Sequence, residues 1–218
     1  MKIDKQEVRR YLGFGKKTAD VKTEKAIDAC ITEVKRRMHP REIHSTFNII
    51  RDGGPLRLDA ENLNLEGESI RNHLSESRLC VIMAATLGPE IDKTIRYISR
   101  RDLSEAIIMD AVATTAIEAF CDEIESSVIS QAKRDGLFAT QRFSPGYGDL
   151  PLSVQPHILR ALDAPRKIGL AATEKLVMIP RKSVTAIIGL QEHPACSAKP
   201  HCKTCMPGLE CPYRKEDD

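Results

Sequence analysis

The sequence predicts an α+β domain built around one long helix. Three features carry that expectation. Leu103, Ile107, Thr114, Ile117, Cys121, Ile124 and Val128 step by threes, fours and one seven along one helical face, and Gly136 supplies a stop. Ile43, Ser45, Phe47 and Ile49 alternate with a period of two, as a strand requires. Residues 79–86 and 183–190 are short, continuously apolar runs of the kind that form buried strands.

The chain opens with helical periodicity. Residues 6–11 form a short basic piece. Over residues 21–38, Ala26, Ala29, Cys30, Val34 and Met38 share one face and charges fill the other, which predicts a packing helix. Cys30 lies on that stripe and reads as a buried structural thiol. From Arg41 the alternating strand begins, and Asp52-Gly53-Gly54-Pro55 turns it into a second strand over 56–58. A helix is expected over 67–75. His39, His44 and His73 lack metal-like spacing and read as surface or hydrogen-bonded histidines.

The buried strand over 79–86 is closed by Leu87-Gly88-Pro89, and a helix over 89–99 precedes the long one. Further on, residues 153–162 read as a short helix with Pro156 in its first turn. Short strands are expected over 167–172 and 176–179, joined by Thr173-Glu174-Lys175. Pro180-Arg181-Lys182 then leads into the final strand. No internal repeat is evident.

Composition narrows the functional classes. A net charge of +2 gives no general electrostatic case for nucleic acid. No stretch approaches the roughly 20 apolar residues that span a bilayer, and no basic start leads into an apolar run. A soluble cytoplasmic protein with no membrane partner is therefore expected. The seven cysteines are unevenly placed, and Cys196, Cys202, Cys205 and Cys211 crowd the last quarter-hundred residues.

Residues 142–151, Arg-Phe-Ser-Pro-Gly-Tyr-Gly-Asp-Leu-Pro, set an arginine, a hydroxyl, a tyrosine and a carboxylate on a backbone that two prolines and two glycines keep out of regular structure. Arg142 can pair bidentately with a carboxylate, and Tyr147 offers a flat face with a polar tip, so a small anionic ligand carrying a ring would fit. A rigid turn with a surface arginine is the plainer reading of the same residues. Glu118 reads either as a solvated side chain or as a ligand-facing acid. Asp122 and Glu125 look like the ordinary solvent edge of the long helix.

The segments 142–147, Ile117-Glu118-Ala119-Phe120, and 176–187, with its Met-x-Pro-x-x-Ser-Val pattern, together resemble the activation domain of vitamin B12-dependent methionine synthase. The likeness covers roughly residues 79–190. It implies a curved antiparallel sheet with flanking helices and binding of S-adenosylmethionine. It also implies docking over a cobalamin-binding domain whose cofactor has been oxidised, followed by reductive remethylation. Within the resemblance, Arg142 meets the ligand carboxylate, Tyr147 packs on the ligand, Ser144 and Gly146 lie along its backbone rim, and Glu118 balances a cationic group. After the tyrosine the family continues Pro-Ala-Cys-Pro, where this chain has Gly148-Asp149-Leu150-Pro151. No methyltransferase or cobalamin-binding region is read in these residues, so the implied cobalamin is expected on a separate methionine synthase subunit or another corrinoid protein. An electron donor such as flavodoxin or ferredoxin completes that system.

Cys196-x5-Cys202-x2-Cys205-x5-Cys211 lies beyond the resembling region. Four thiolates on a short proline-rich segment can close around one metal centre. An iron-sulfur cluster, structural zinc and redox disulfides or free thiols all remain readings of that spacing, and a cluster could relay the electron that reactivation needs. The expected organisation is an N-terminal part over 1–78, a ligand-binding core over 79–192 and a cysteine-rich metal-binding tail over 193–218. A non-catalytic module stabilised by zinc is the alternative from a different class.

Overall fold

The computed structural model describes residues 1–15, 17–60 and 63–194. The first helices are α1 (Lys5–Tyr11) and α2 (Val21–Arg37), followed by strands β1 (Arg41–Ile50), β2 (Leu56–Leu58) and β3 (Asn64–Leu65). Then come α3 (Glu68–His73), β4 (Ser77–Thr86), α4 (Pro89–Ser99), α5 (Leu103–Arg134) and β5 (Phe138–Ala139). A single 3-10 turn, Leu152–Val154, precedes α6 (Gln155–Ala161) and α7 (Ala164–Ile168). The chain continues through β6 (Ala171–Ala172), β7 (Met178–Ile179) and β8 (Ser183–Gln191).

The two apolar runs pair with each other inside a six-stranded sheet of order β3-β2-β1-β4-β8-β5, antiparallel throughout. Val81 stands opposite Ile188 and Met83 opposite Ala186. Their continuous hydrophobicity has a direct cause, because both faces of this sheet are covered. Successive side chains of a strand point to opposite faces. Val81, Met83 and Ala85 of β4, with Ala186, Ile188 and Leu190 of β8, pack under α1, α2, α4 and α5. Cys80, Ile82 and Ala84, with Ile187, pack on the other face against Ile70 of α3, Ile158 of α6 and Ile168 of α7. β1 lies between β2 and β4 but is covered on one face only: Ile43, Phe47 and Ile49 pack against the second cluster while the residues between them are largely exposed, which gives its period-two burial.

The long helix is fixed at both ends. Asp102 caps it by accepting from the Glu105 N–H at 3.0 Å, and Gly136 adopts φ +74° just beyond its end. Its buried stripe runs through Met109, Val112, Ala116, Cys121, Ile124 and Val128. Leu103 and Ile107, expected on that stripe, are more than half exposed, and the buried face of the first turns runs through Ala106 and Met109 instead. Small residues at 106, 111, 113 and 116 let α5 approach its neighbours closely, and α2 and α4 both lie against it.

Of the strand expected over 167–172 only Ala171–Ala172 forms, because Lys167 and Ile168 are the last residues of α7. Pro165 sits in the first turn of α7, where its missing N–H costs nothing, and Gly169 (φ +70°) ends the helix, leaving two residues for β6. β3 and β5 were not anticipated, being two residues each and set by pairing with β2 and β8. Cys30, Cys80 and Cys121 are buried free thiols. Among the described residues no helix is long and apolar enough to cross a membrane.

Candidate ligand-binding site

Glu118, Asp122 and Glu125 follow one another at intervals of four and three, which places them along one edge of α5. The sheet edge delivers Arg142 to them. β5 pairs with β8 through Phe138 and Ala139, and the Thr140 N–H continues to the Gly189 carbonyl at 2.9 Å. The next paired residue is Phe143, which exchanges hydrogen bonds of 2.9 and 2.8 Å with Ile187. Gln141 and Arg142 therefore oppose Ile188 alone, a local bulge that turns Arg142 out of the ladder and over α5.

Arg142 Nη2 lies 2.6 Å from Asp122 Oδ1 and 3.7 Å from Glu118 Oε2, and its Nε lies 3.2 Å from Glu125 Oε2. The backbone N–H of Arg142 also donates to Glu125 Oε1 at 3.1 Å. One guanidinium thus faces three carboxylates, an excess of negative charge around a side chain that is only 18% exposed. Burial works against the charge on Arg142, yet Cys121, Glu125, Asp122 and Glu118 together hold its pKa above the ordinary value. Its Nη1 is buried with no hydrogen-bond partner. Beneath the cluster, burial pushes the Cys121 thiol up to about 12, so it is protonated at neutral pH and its charge bears on Arg142 only in the alkaline range.

Beyond Phe143 the loop closes on itself. The Tyr147 N–H donates to the Ser144 carbonyl at 3.1 Å, the Leu150 N–H to the Tyr147 carbonyl at 3.1 Å, and the Gly146 N–H to the Leu150 carbonyl at 2.9 Å. Gly146 adopts φ +91°, a conformation that side chains disfavour, so glycine is needed for this turn. Leu150 is buried and anchors the loop to the second core cluster, while Tyr147 is 63% exposed. The tyrosine ring lies 6.4 Å from the Phe143 ring, which lies 5.1 Å from that of His73.

The family model for the activation domain of vitamin B12 dependent methionine synthase matches residues 32–197. The chain belongs to this family. Among solved structures, the MetH reactivation domain bound to AdoHcy is similar to this activation-domain chain, with a TM-score of 0.60 at 16% identity. The match covers 81% of this chain and 67% of that one. At that identity the likeness is one of fold. No curated protein matches the chain.

Within this activation domain, Arg142 and Glu118 lie in one charge cluster, and Ser144, Gly146 and Tyr147 lie on the loop that leads away from it. Asp122 and Glu125 are not a plain solvent edge, since both pair with Arg142 and Glu125 is largely covered. Their spacing from Glu118 was visible in the sequence; what could pair with them was not. One turn before Glu118, Lys182 Nζ bonds Thr114 Oγ1 at 2.8 Å and Asp110 Oδ1 at 2.9 Å, so the polar edge of α5 continues to the turn before β8. Asp110 and Thr114 also border a cavity of about 500 Å³ between α1, α4 and α5. Tyr11, on the same wall, has its pKa raised by burial and by the charge of Glu118. Cys196, Cys202, Cys205 and Cys211 lie outside the described residues. Among the described residues no group of His, Cys, Asp and Glu side chains is placed to hold a metal.

Proposed function

We propose that this chain binds S-adenosylmethionine between the polar edge of α5 and the 142–151 loop, and presents it to a cobalamin-carrying subunit of methionine synthase during reactivation. The observation that carries the reading is Arg142 Nη1, buried without a partner beside three carboxylates. A guanidinium N–H left unsatisfied costs free energy that a ligand carboxylate would recover. The surplus negative charge of Glu118 and Asp122 suits the ligand's ammonium and sulfonium groups. Membership of the activation-domain family and a structural neighbour bound to AdoHcy support the same ligand class.

In this reading Tyr147 packs on the ligand from its exposed position, and the backbone at Ser144 and Gly146 forms the rim. A cobalamin held by the partner would, in the same reading, supply the methyl acceptor, and a donor such as flavodoxin or ferredoxin would supply the electron. Because the methyl group already sits on a sulfonium, the chain needs no acid or base at the reacting carbon; it holds the ligand and sets its direction. The same proposal gives the four tail cysteines to an iron-sulfur cluster or a structural zinc, since a four-thiolate donor set suits either.

Calorimetric titration tests the ligand. S-adenosylmethionine is expected to bind, and Arg142→Ala to weaken it at least tenfold, the order of a lost charge-assisted hydrogen bond. Equal affinity in the variant would place the ligand elsewhere. Anaerobic mixing with candidate corrinoid proteins and a low-potential reductant tests the partner. Methylated cobalamin should appear with methionine synthase, whereas turnover only with another corrinoid protein would reassign it.

A further inference from the structure

The loop that bears Ser144, Gly146 and Tyr147 is held at both ends by one short helix. At its far end, Asp149 accepts from the Glu68 N–H at 2.6 Å through Oδ2 and from the Ser69 N–H at 2.9 Å through Oδ1. Both donors belong to the first turn of α3. At the near end, His73 in the last turn of α3 has Nε2 2.9 Å from the Gln141 carbonyl and 2.9 Å from Thr140 Oγ1. Gln141 directly precedes Arg142. The His73 ring also packs on Phe143, which packs on Tyr147.

Two glycines make this approach possible. A Cβ at Gly67 (φ +122°) would lie 2.5 Å from Asp149 Oδ1, and one at Gly148 (φ +53°) would lie 2.5 Å from Ser69 Oγ. Side chains at either position would force helix and loop apart. The Asp149 carboxylate is also held below the ordinary range by the Ser69 and Glu68 N–H groups, so it is ionised while the contact lasts.

We propose that Asp149 and His73 are positioning residues for the ligand loop, with α3 acting as a clasp that sets where Tyr147 and Arg142 stand. The proposal rests on the S-adenosylmethionine reading for its functional consequence. A loop free to sample other conformations would have to be ordered on binding, and that entropy would reduce affinity. With the clasp closed, the loop is ordered beforehand.

The test uses the full chain with Asp149→Ala, Asp149→Asn and, as a control, Asp20→Ala, which removes the equivalent cap of α2 far from the loop. Amide hydrogen exchange over residues 142–151 and calorimetric affinity for S-adenosylmethionine are both read at a temperature where every variant is folded. Asp149→Ala should exchange faster through the loop and bind about tenfold more weakly, the scale of a lost cap. Asp149→Asn, which keeps one accepting oxygen, should recover part of both. Asp20→Ala should change neither. Unchanged loop exchange in Asp149→Ala overturns the clasp, and faster exchange at unchanged affinity overturns its positioning role. Should the unaltered chain bind no S-adenosylmethionine, the functional reading and the ligand role both fail, and exchange alone decides whether α3 orders the loop.

Discussion

Arg142 and Glu125 are joined twice. One carboxylate oxygen accepts the Arg142 backbone N–H at 3.1 Å and the other lies 3.2 Å from its Nε, so a single acid fixes both the backbone and the side chain of the arginine. Glu125→Ala should therefore destabilise the chain by about 1–3 kcal/mol, the range for a hydrogen bond to a largely covered charge. It should also weaken S-adenosylmethionine binding. Denaturant titration and calorimetry on the same sample check both effects.

The charge balance around Arg142 predicts ligand preference. S-adenosylmethionine carries a sulfonium that S-adenosylhomocysteine lacks, and Glu118 and Asp122 supply negative charge beside the guanidinium. Glu118→Gln should narrow the difference in affinity between the two ligands, by weakening the first more than the second. Arg142→Lys should not restore what Arg142→Ala loses, because an ammonium cannot bridge the same three acids in the plane of a guanidinium. Competitive titration of the two ligands reads both outcomes.

Ile187 connects the core to the loop. Its side chain is fully buried in the second cluster, and its backbone exchanges hydrogen bonds with Phe143. Ile187→Ala should cost about 2–5 kcal/mol, as truncation of a buried isoleucine does. The midpoint of urea unfolding should fall with little change in slope.

Acidification should act through His73 and Asp149. Burial lowers the His73 pKa from its ordinary value of roughly 6.5. Its neutral form is the one the fold accommodates, so that contribution is complete above about 6.5 and is lost as pH falls through the lower folded value. Asp149 is depressed as well, so its contribution is present above the ordinary carboxylate range and disappears at still lower pH. Loop exchange should therefore rise in two steps on acidification, and His73→Gln should remove the upper one.

The cysteine tail predicts metal. Chain purified without oxygen should hold one metal centre, brown with charge-transfer absorption for an iron-sulfur cluster, or colourless with one zinc per chain. Cys202→Ser with Cys205→Ser should empty it. Metal content unaffected by both substitutions would remove these thiols from the donor set.

The parts legible in the sequence were those whose signal repeats. The long helix, the alternating β1 and the two apolar central strands each declare themselves over eight or more residues, and hydrophobic periodicity reports burial directly. β3, β5 and α7 escaped because so few residues carry no period. At the site, Arg142 stood out through the loop that carries it, and Glu118 was preferred as an acid facing a ligand only through the family resemblance. Glu125 and Asp122 had the right helical interval but no visible partner.

Sequence alone determined the long elements, the covered character of β4 and β8, and the glycine-bearing loop, because local periodicity and backbone preference are properties of neighbouring residues. Tertiary structure alone decided which acids meet Arg142 and what Asp149 holds. Glu125 and Arg142 stand seventeen residues apart, and Asp149 and Ser69 eighty. Such pairs form only when the sheet register, the bulge after β5 and the close approach at Gly67 and Gly148 bring distant segments together, and no local pattern encodes that distance.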